Sequence, residues 1–208
     1  MQDSLNPYQQ KYPPIHQMDK THYIEAFKSF LFHSNDDEFV KNIANWVDLE
    51  NVIDWHLILL FSNNGDGIMK NFYLYKIDEH TPFRFAIWDY DHSYGRDGDN
   101  ELNMLKTTVN CNKAILFKRL SKIPEYESRL KKRWLALRAQ QIISYENFAE
   151  HIRENDKRIN REIKRNFDKW PLNEKWYHDD QGYEQELELM QSFVKIRISQ
   201  LDTYFNEL

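Results

Sequence analysis

The spacing of hydrophobic residues changes twice along the chain, and this change limits the folds available to it. In the outer parts, apolar residues recur at the three- and four-residue spacing of amphipathic helices. In the middle lie two short runs rich in aromatic and β-branched residues, NFYLYKI (71–77) and FRFAIWD (83–89), with the composition of strands. About five residues, including Pro82, join the runs. The pattern predicts a mainly α chain with a small β-hairpin, an α+β fold.

Capping residues and apolar spacing place the predicted helices. Asn35 and its polar neighbours offer N-caps before a helix that reaches Val47, and an apolar, central helix follows at about 50–61. After the hairpin, helices are predicted at about 112–122, 124–140, 145–168 and 184–206. The last two helices carry apolar stripes that predict core faces: Phe148, Ile152, Ile159, Ile163 and Phe167, then Leu187, Met190, Val194, Ile198, Leu201 and Phe205.

The length of the chain predicts one domain with a short leading segment. Residues 1–20 are polar and proline-containing, which predicts an extended lead-in. Residues 21–208 are expected to form a single domain. Within it, residues 61–95 hold a polar loop and the hairpin, and residues 112–208 form a helical subdomain.

Charge and composition exclude several classes of function. Hydrophobic residues make up 41% of the chain, which is enough for a packed core. A net charge of −5 argues against nucleic acid and acidic membrane surfaces as partners. The longest apolar run, 52–61, is too short to span a bilayer, and the first residues do not resemble a signal peptide. Because Cys111 is the single cysteine, an internal disulfide is excluded. We expect a soluble chain of unknown location.

The hairpin is predicted to gather acidic residues at its open end. If its register is symmetrical about residue 80, Tyr73 lies opposite Ile87 and Asn71 lies opposite Asp89. Asp66 precedes Asn71 in the loop that leads into the same strand, and Asp91 follows Asp89 closely. Oxygen ligands of this kind suit Mg²⁺ or Mn²⁺, which would relieve repulsion between the carboxylates. The alternative is that these residues simply fill turns and cap strand ends.

The spacing of these polar residues is also that of a kinase catalytic centre. An Asp, then an Asn five residues later, then a hairpin and a second Asp is the order found there, with Mg²⁺ held on phosphate by the last two. Asn64-Gly65 stands where kinases have His-Arg, and Asp89-Tyr90-Asp91 stands where they have Asp-Phe-Gly. These differences argue against an ordinary kinase. Gly65 and Gly67 are expected to let the backbone turn tightly around Asp66.

The two segments around the hairpin resemble the spore coat protein H (CotH) kinase family, an atypical kinase-like group of spore coats and cell surfaces. The resemblance is carried by NVIDWHLILLFSNNGDGIMKNFYLYK (51–76) and FRFAIWDYDHSYG (83–95), and continues weakly to Arg197 near the end. It implies that Asp66 is the catalytic residue, with Asn71 and Asp89 as metal ligands and Asp91 as a helper. It also implies transfer of phosphate from ATP to Ser or Thr of a protein substrate.

The N-terminal part of the chain lacks the features of a kinase N-lobe. All five glycines lie at or beyond position 65, so no glycine-rich loop precedes the hairpin. The chain therefore resembles the C-terminal lobe of a kinase-like fold, as a fragment or shortened protein, with an N-terminal lobe as a missing partner. Without that lobe we expect metal binding but weak phosphate transfer.

Three other functions remain open. A non-catalytic structural or interaction module could keep the same fold. A metal-dependent nucleotide-sugar transferase could use Asp89 and Asp91, although such enzymes place this pair after an α/β sheet. A calcium-binding EF-hand loop fits DYDHSYGRDGDNE (89–101) poorly, because Gly95 and Asn100 fall at the wrong positions.

Four further residues are expected to be structural. His56 reads as a hydrogen-bonded core histidine, and His92 alone does not make a zinc centre. Cys111 has no histidine partner in sequence, which argues against a nucleophile. Lys70 is expected to face solvent, with contact to a phosphate as the alternative.

Overall fold

The structure, a computed structural model, describes residues 8–96, 104, 106–171 and 182–208. Its elements in chain order are α1 (Thr21–His33), α2 (Asp36–Trp46), α3 (Leu49–Ser62), α4 (Asp66–Met69), β1 (Phe72–Tyr75), β2 (Arg84–Ile87), α5 (Ile115–Leu120), α6 (Pro124–Ala139), α7 (Tyr145–Lys169) and α8 (Tyr183–Glu207). The strands pair as an antiparallel hairpin, and the other described elements are helical. The predicted mainly α fold with a small hairpin is confirmed.

Side-chain caps explain where several helices begin. Asn35 Oδ1 accepts the Glu38 N–H at 2.9 Å and starts α2. Asp48 caps α3 in the same way and also binds Arg84 of β2, with Oδ2 2.6 Å from Nη2. The segment predicted as one helix at 112–122 is instead a 3₁₀ turn followed by α5, because Ala114 between them has extended backbone. α1 lies where no helix was assigned from sequence.

The predicted register of the hairpin is wrong by one residue. The structure pairs Tyr73 with Ala86 and Leu74 with Phe85, so Tyr73 does not face Ile87. The cause is the packing of the hairpin on α3, where the Trp55 ring stacks on Phe85 at 4.2 Å between centroids. A slip of one residue would exchange the buried and exposed faces. The observed register keeps Leu74 and Phe85 on the core side and leaves Tyr73 exposed.

α3 is the centre of the core, as its apolar sequence predicts. Its buried side chains pack against α6, α8 and β2. From α8, the stripe of Val194, Ile198, Leu201 and Phe205 is buried against it, while Leu187 and Met190 are half-buried.

The predicted core face of α7 is only partly buried. Ala149 is the one α7 residue that is fully buried, and Ile159 remains 48% exposed. Phe148 packs against the core, and α8 is the main neighbour of α7. The helical period therefore identified the contact face correctly without showing how much of the protein would cover it.

The described part of the lead-in, residues 8–20, contains neither helix nor strand and is not fully extended. Gln10 Oε1 accepts the Lys20 N–H at 2.8 Å, and Gln10 Nε2 donates to the Met18 carbonyl at 2.7 Å. These bonds close the segment into a loop. Tyr8 then packs its ring against Phe72 of the hairpin, 6.4 Å between centroids.

Candidate functional site

The polar loop begins where α3 ends in a left-handed residue. Asn63 has φ 57° and is buried, a conformation that asparagine adopts more readily than most residues. Its Nδ2 donates to the carbonyls of Met104 and Thr107 at 3.1 and 3.2 Å, and its Oδ1 accepts the Val109 N–H at 2.7 Å. The entrance to the loop is therefore tied to the segment at 104–109.

The predicted role of Gly65 and Gly67 in a tight turn around Asp66 is not what the structure shows. Gly65 has φ −69° and ψ −36°, which any residue adopts, and a Cβ there would meet open space. A Cβ on Gly67 would lie 2.8 Å from both Leu59 Cδ2 and Tyr90 Oη. Gly67 is thus required by the close approach of Tyr90, and the tight-turn explanation is wrong for both positions.

Asp66 occupies the first turn of the short helix α4 and makes two kinds of contact. Its Oδ2 lies 2.9 Å from Lys70 Nζ, four residues later on the same face. Its backbone carbonyl accepts the N–H groups of Lys70 and Asn71 at 2.9 and 3.0 Å. The backbone of Asp66 is therefore fixed relative to Asn71, while its carboxylate, 38% exposed, remains open to solvent.

Asn71 and Asp89 are brought together in spite of the register shift. Asn71 Nδ2 donates to the Asp89 backbone carbonyl at 3.0 Å, and the Asn71 carbonyl accepts the Trp88 N–H at 3.2 Å. Since its amide nitrogen is engaged, the Oδ1 atom of Asn71 is the one available to a cation. Asp89 has φ 57°, a left-handed conformation that aspartate tolerates better than most side chains.

The chain after Asp89 folds back onto the end of α3. Tyr90 is tucked against Gly67, the Ser93 hydroxyl donates to the Tyr90 carbonyl, and the Tyr94 N–H donates to the Ser62 carbonyl at 2.8 Å. The Asp91 side chain stays 68% exposed. This packing holds Asp89 and Asp91 on the same side of the molecule as α4.

Lys70 places a positive charge beside Asp66, Asp89 and Asp91. The carboxylate of Asp66 raises the pKa of Lys70 through a hydrogen bond and its charge, and the charges of Asp89 and Asp91 raise it further. Lys70 faces solvent as expected, with 56% of its side chain exposed, and its ammonium also pairs with Asp66. The Asp66–Lys70 spacing was the signal in the sequence that could have predicted this contact.

Metal binding at these residues stays a prediction. In the parts of the chain that the structure describes, no three acidic, histidine or cysteine side chains are arranged to hold a metal ion. Asn71 Oδ1 and the carboxylates of Asp89 and Asp91 nevertheless supply the oxygen donors that Mg²⁺ and Mn²⁺ prefer. The ammonium of Lys70 already shows that a positive charge is attracted here.

Comparison with known proteins identifies the family. The sequence profile described as CotH kinase protein matches residues 2–201. The chain belongs to the CotH kinase protein family. Inner spore coat protein H of Bacillus subtilis (strain 168) is 33% identical over 60 residues, which are 29% of this chain and 17% of that relative. The match therefore spans less than a fifth of the relative's length.

A second polar group of this CotH-family chain lies behind the loop. Arg197 of α8 is 1% exposed, and its Nη2 donates to the carbonyls of Met104 and Thr107 at 2.6 and 2.9 Å. These are the same two carbonyls that Asn63 binds. Asn63 and Arg197 thus both hold the carbonyls of Met104 and Thr107 in place.

Two further titratable residues, the partly buried His56 and the buried Cys111, are held neutral by their surroundings. His56 Nδ1 lies 3.0 Å from the Tyr126 hydroxyl, and burial lowers the pKa of His56 to about 4. Burial raises the pKa of the Cys111 thiol to about 12, so that it is protonated at neutral pH. Both line a cavity of about 400 Å³ with Arg197. In this state neither is suited to be a base or a nucleophile.

The structure bears on the other functions and locations considered from the sequence. A two-stranded hairpin is the only sheet within the described residues, so the α/β sheet expected of a nucleotide-sugar transferase is not found there. Part of the proposed calcium loop, including Asn100, lies outside the described residues. No helix in the described ranges is both long enough and apolar enough to cross a membrane.

Proposed function

We propose that this chain is a fragment or shortened form of an atypical, CotH-like protein kinase that transfers the γ-phosphate of ATP to Ser or Thr of a protein substrate. The observation that carries the proposal is the contact between Asn71 and Asp89 at the end of the hairpin, beside Asp66. Membership of the CotH kinase family supports the same reaction. On this proposal the helical body corresponds to the C-terminal lobe of a kinase-like fold.

The polar residues of the site have different roles in the proposed reaction. Asp66 orients the acceptor hydroxyl and takes its proton, for which its partly exposed carboxylate on α4 is suited. Asn71 and Asp89 hold Mg²⁺ or Mn²⁺, and Asp91 assists. The metal ion, when bound, neutralises charge on the phosphates of ATP. Two or three oxygen donors are enough, because Mg²⁺ completes its coordination with water and phosphate.

The outer face of the hairpin supplies a surface for a further partner. The side chains of Tyr73, Tyr75 and Trp88 are 37–56% exposed there, and the Tyr73 and Trp88 rings meet edge to face at 5.3 Å. Exposed aromatic residues clustered beside a site are typical of an interaction surface. An N-terminal lobe would cover this face and close the site, and we expect the chain without it to transfer phosphate slowly.

The name of the matched relative supports a proposal for the location of the protein. The matched Bacillus subtilis protein is named an inner spore coat protein. We propose that this chain also acts in a spore coat or at a cell surface. The net charge of −5 supports proteins, rather than nucleic acid or membrane, as its partners.

Calorimetric titration of Mn²⁺, with and without ATP, tests the proposal on the chain and on Asp89→Asn. Asparagine is chosen because it tolerates the left-handed backbone of Asp89 while removing the charge. We expect Mn²⁺ to bind more tightly with ATP and the Asp89→Asn variant to lose this binding. Equal binding by both proteins would refute the assigned ligand.

The same titration separates the alternatives. If neither Mn²⁺ nor ATP binds, the kinase proposal fails and a non-catalytic structural or interaction module is favoured. If a nucleotide-sugar tightens Mn²⁺ binding where ATP does not, Asp89 and Asp91 serve a sugar transferase instead. Phosphate transfer is then measured after an N-terminal lobe of a CotH-family protein is joined to the chain.

A further inference from the structure

A lysine side chain, Lys70, places a positive charge next to the acidic residues of the candidate site. Lys70 Nζ lies 2.9 Å from Asp66 Oδ2, and Lys70 immediately precedes Asn71 in the chain. The carboxylates of Asp89 and Asp91 act on the same ammonium electrostatically. One positive charge thus balances part of the charge of three acidic residues, two of which the proposed function assigns to a metal ion.

We propose that Lys70 is an exchangeable counter-ion: it neutralises the acidic group while the site is empty and moves from Asp66 to phosphate when a metal–nucleotide binds. The inference rests on the proposed function. It assigns to Lys70 the coupling of nucleotide binding to the release of Asp66, which must be free to receive the proton of the acceptor hydroxyl. Lys70 therefore has two states on this proposal: it pairs with Asp66 in the empty site and contacts phosphate in the occupied one.

The geometry allows the ammonium to move without disturbing the fold. The Lys70 side chain is 56% exposed and carries a flexible four-carbon stem, whereas the Asp66 backbone is fixed by its bonds to the N–H groups of Lys70 and Asn71. An ion pair this exposed is weak, so exchange of one anionic partner for another has a low cost. Phosphate oxygens are strong acceptors for a lysine ammonium.

If Lys70 exchanges Asp66 for phosphate, the affinity for a metal ion depends on whether nucleotide is bound. Without nucleotide, a divalent ion entering beside Asn71 and Asp89 is repelled by the nearby ammonium. With nucleotide, the phosphates bring negative charge that attracts Lys70 away from Asp66. Each ligand therefore strengthens binding of the other, and the coupling is reciprocal.

Mn²⁺ titration of Lys70→Met, with and without the non-hydrolysable β,γ-imido analogue of ATP, tests the inference. Removing the ammonium is expected to tighten nucleotide-free Mn²⁺ binding by about tenfold. The same change is expected to reduce the factor by which the nucleotide analogue tightens Mn²⁺ binding. Lys70→Arg keeps the charge and is expected to preserve the wild-type pattern.

A matched control separates this effect from net charge. Lys122 also pairs with an aspartate, Asp36, at 3.1 Å on another part of the surface, so Lys122→Met changes the net charge equally. Lys122→Met is expected to leave both titrations unchanged. Urea unfolding of every variant checks that the fold is intact.

Each outcome decides a different point. Unchanged or weaker nucleotide-free Mn²⁺ binding by Lys70→Met overturns the inference but leaves the kinase proposal standing, provided that ATP still tightens Mn²⁺ binding to the wild type. Equal tightening by Lys70→Met and Lys122→Met also overturns it. If no variant binds Mn²⁺ under either condition, both the inference and the proposed function fail.

Discussion

A methyl group added at Gly67 tests how the acidic residues are held together. In Gly67→Ala the new Cβ would lie 2.8 Å from Leu59 Cδ2 and from Tyr90 Oη. Since ordinary non-bonded contacts are about 3.5 Å long, the neighbours must retreat by up to about 0.7 Å. Overpacking of this kind costs about 1–3 kcal/mol, partly offset by the lower entropy of the unfolded alanine chain, about 0.4–1 kcal/mol. We expect a net loss of about 1–2 kcal/mol.

Urea unfolding followed by tryptophan fluorescence measures this loss, and Gly65→Ala is the matched control. A Cβ on Gly65 meets no atom within 4 Å and the backbone there is helical, so we expect the lower entropy of the unfolded chain to raise its free energy of unfolding by about 0.4–1 kcal/mol. Because Tyr90 lies between Asp89 and Asp91, we also expect Gly67→Ala to weaken binding of Mn²⁺ with ATP.

A second substitution tests whether Tyr90 is the cause. Within the described residues the buried Tyr90 hydroxyl makes no well-formed hydrogen bond and has the Trp55 indole near it, so Tyr90→Phe alone should cost little. Combined with Gly67→Ala, it removes one of the closest contacts and should restore part of the lost stability. Equal midpoints for Gly67→Ala and Gly65→Ala, or no recovery in the double variant, would show that the reasoning is wrong.

Two further predictions concern buried polar residues. The pKa of His56 is about 4 in the folded chain and near 6.5 when unfolded, so stability should fall by up to about 3 kcal/mol as the pH falls through this window. Urea midpoints against pH should show this component in wild type but not in His56→Gln; parallel curves would contradict it. Asn63→Gly keeps the left-handed backbone but loses the hydrogen bonds to Met104, Thr107 and Val109, which should cost about 2–3 kcal/mol. Asn63→Ala should cost about 1 kcal/mol more, and equal urea midpoints for the two variants would refute the backbone argument.

The candidate site could be predicted from sequence to the extent that its contacts are local. Asp66 and Asn71 lie five residues apart, and the hairpin returns Asp89 to the same place in any register close to the true one. The predicted proximity of Asn71 and Asp89 is therefore correct although the predicted register is wrong by one residue. The exposure of Lys70 was predicted correctly, but its ion pair with Asp66 was missed, although the i,i+4 spacing allows it.

What the sequence determined by itself is the set of local structures. The apolar periods predicted the hairpin and most of the helices, and side chains such as Asn35 marked where helices begin, because these features depend on neighbours within a few residues. Only the tertiary structure decided which distant groups meet. Trp55 set the strand register by stacking on Phe85, and Tyr90 made Gly67 necessary. Such contacts join residues more than twenty positions apart, and packing selects among partners that the local pattern leaves equivalent.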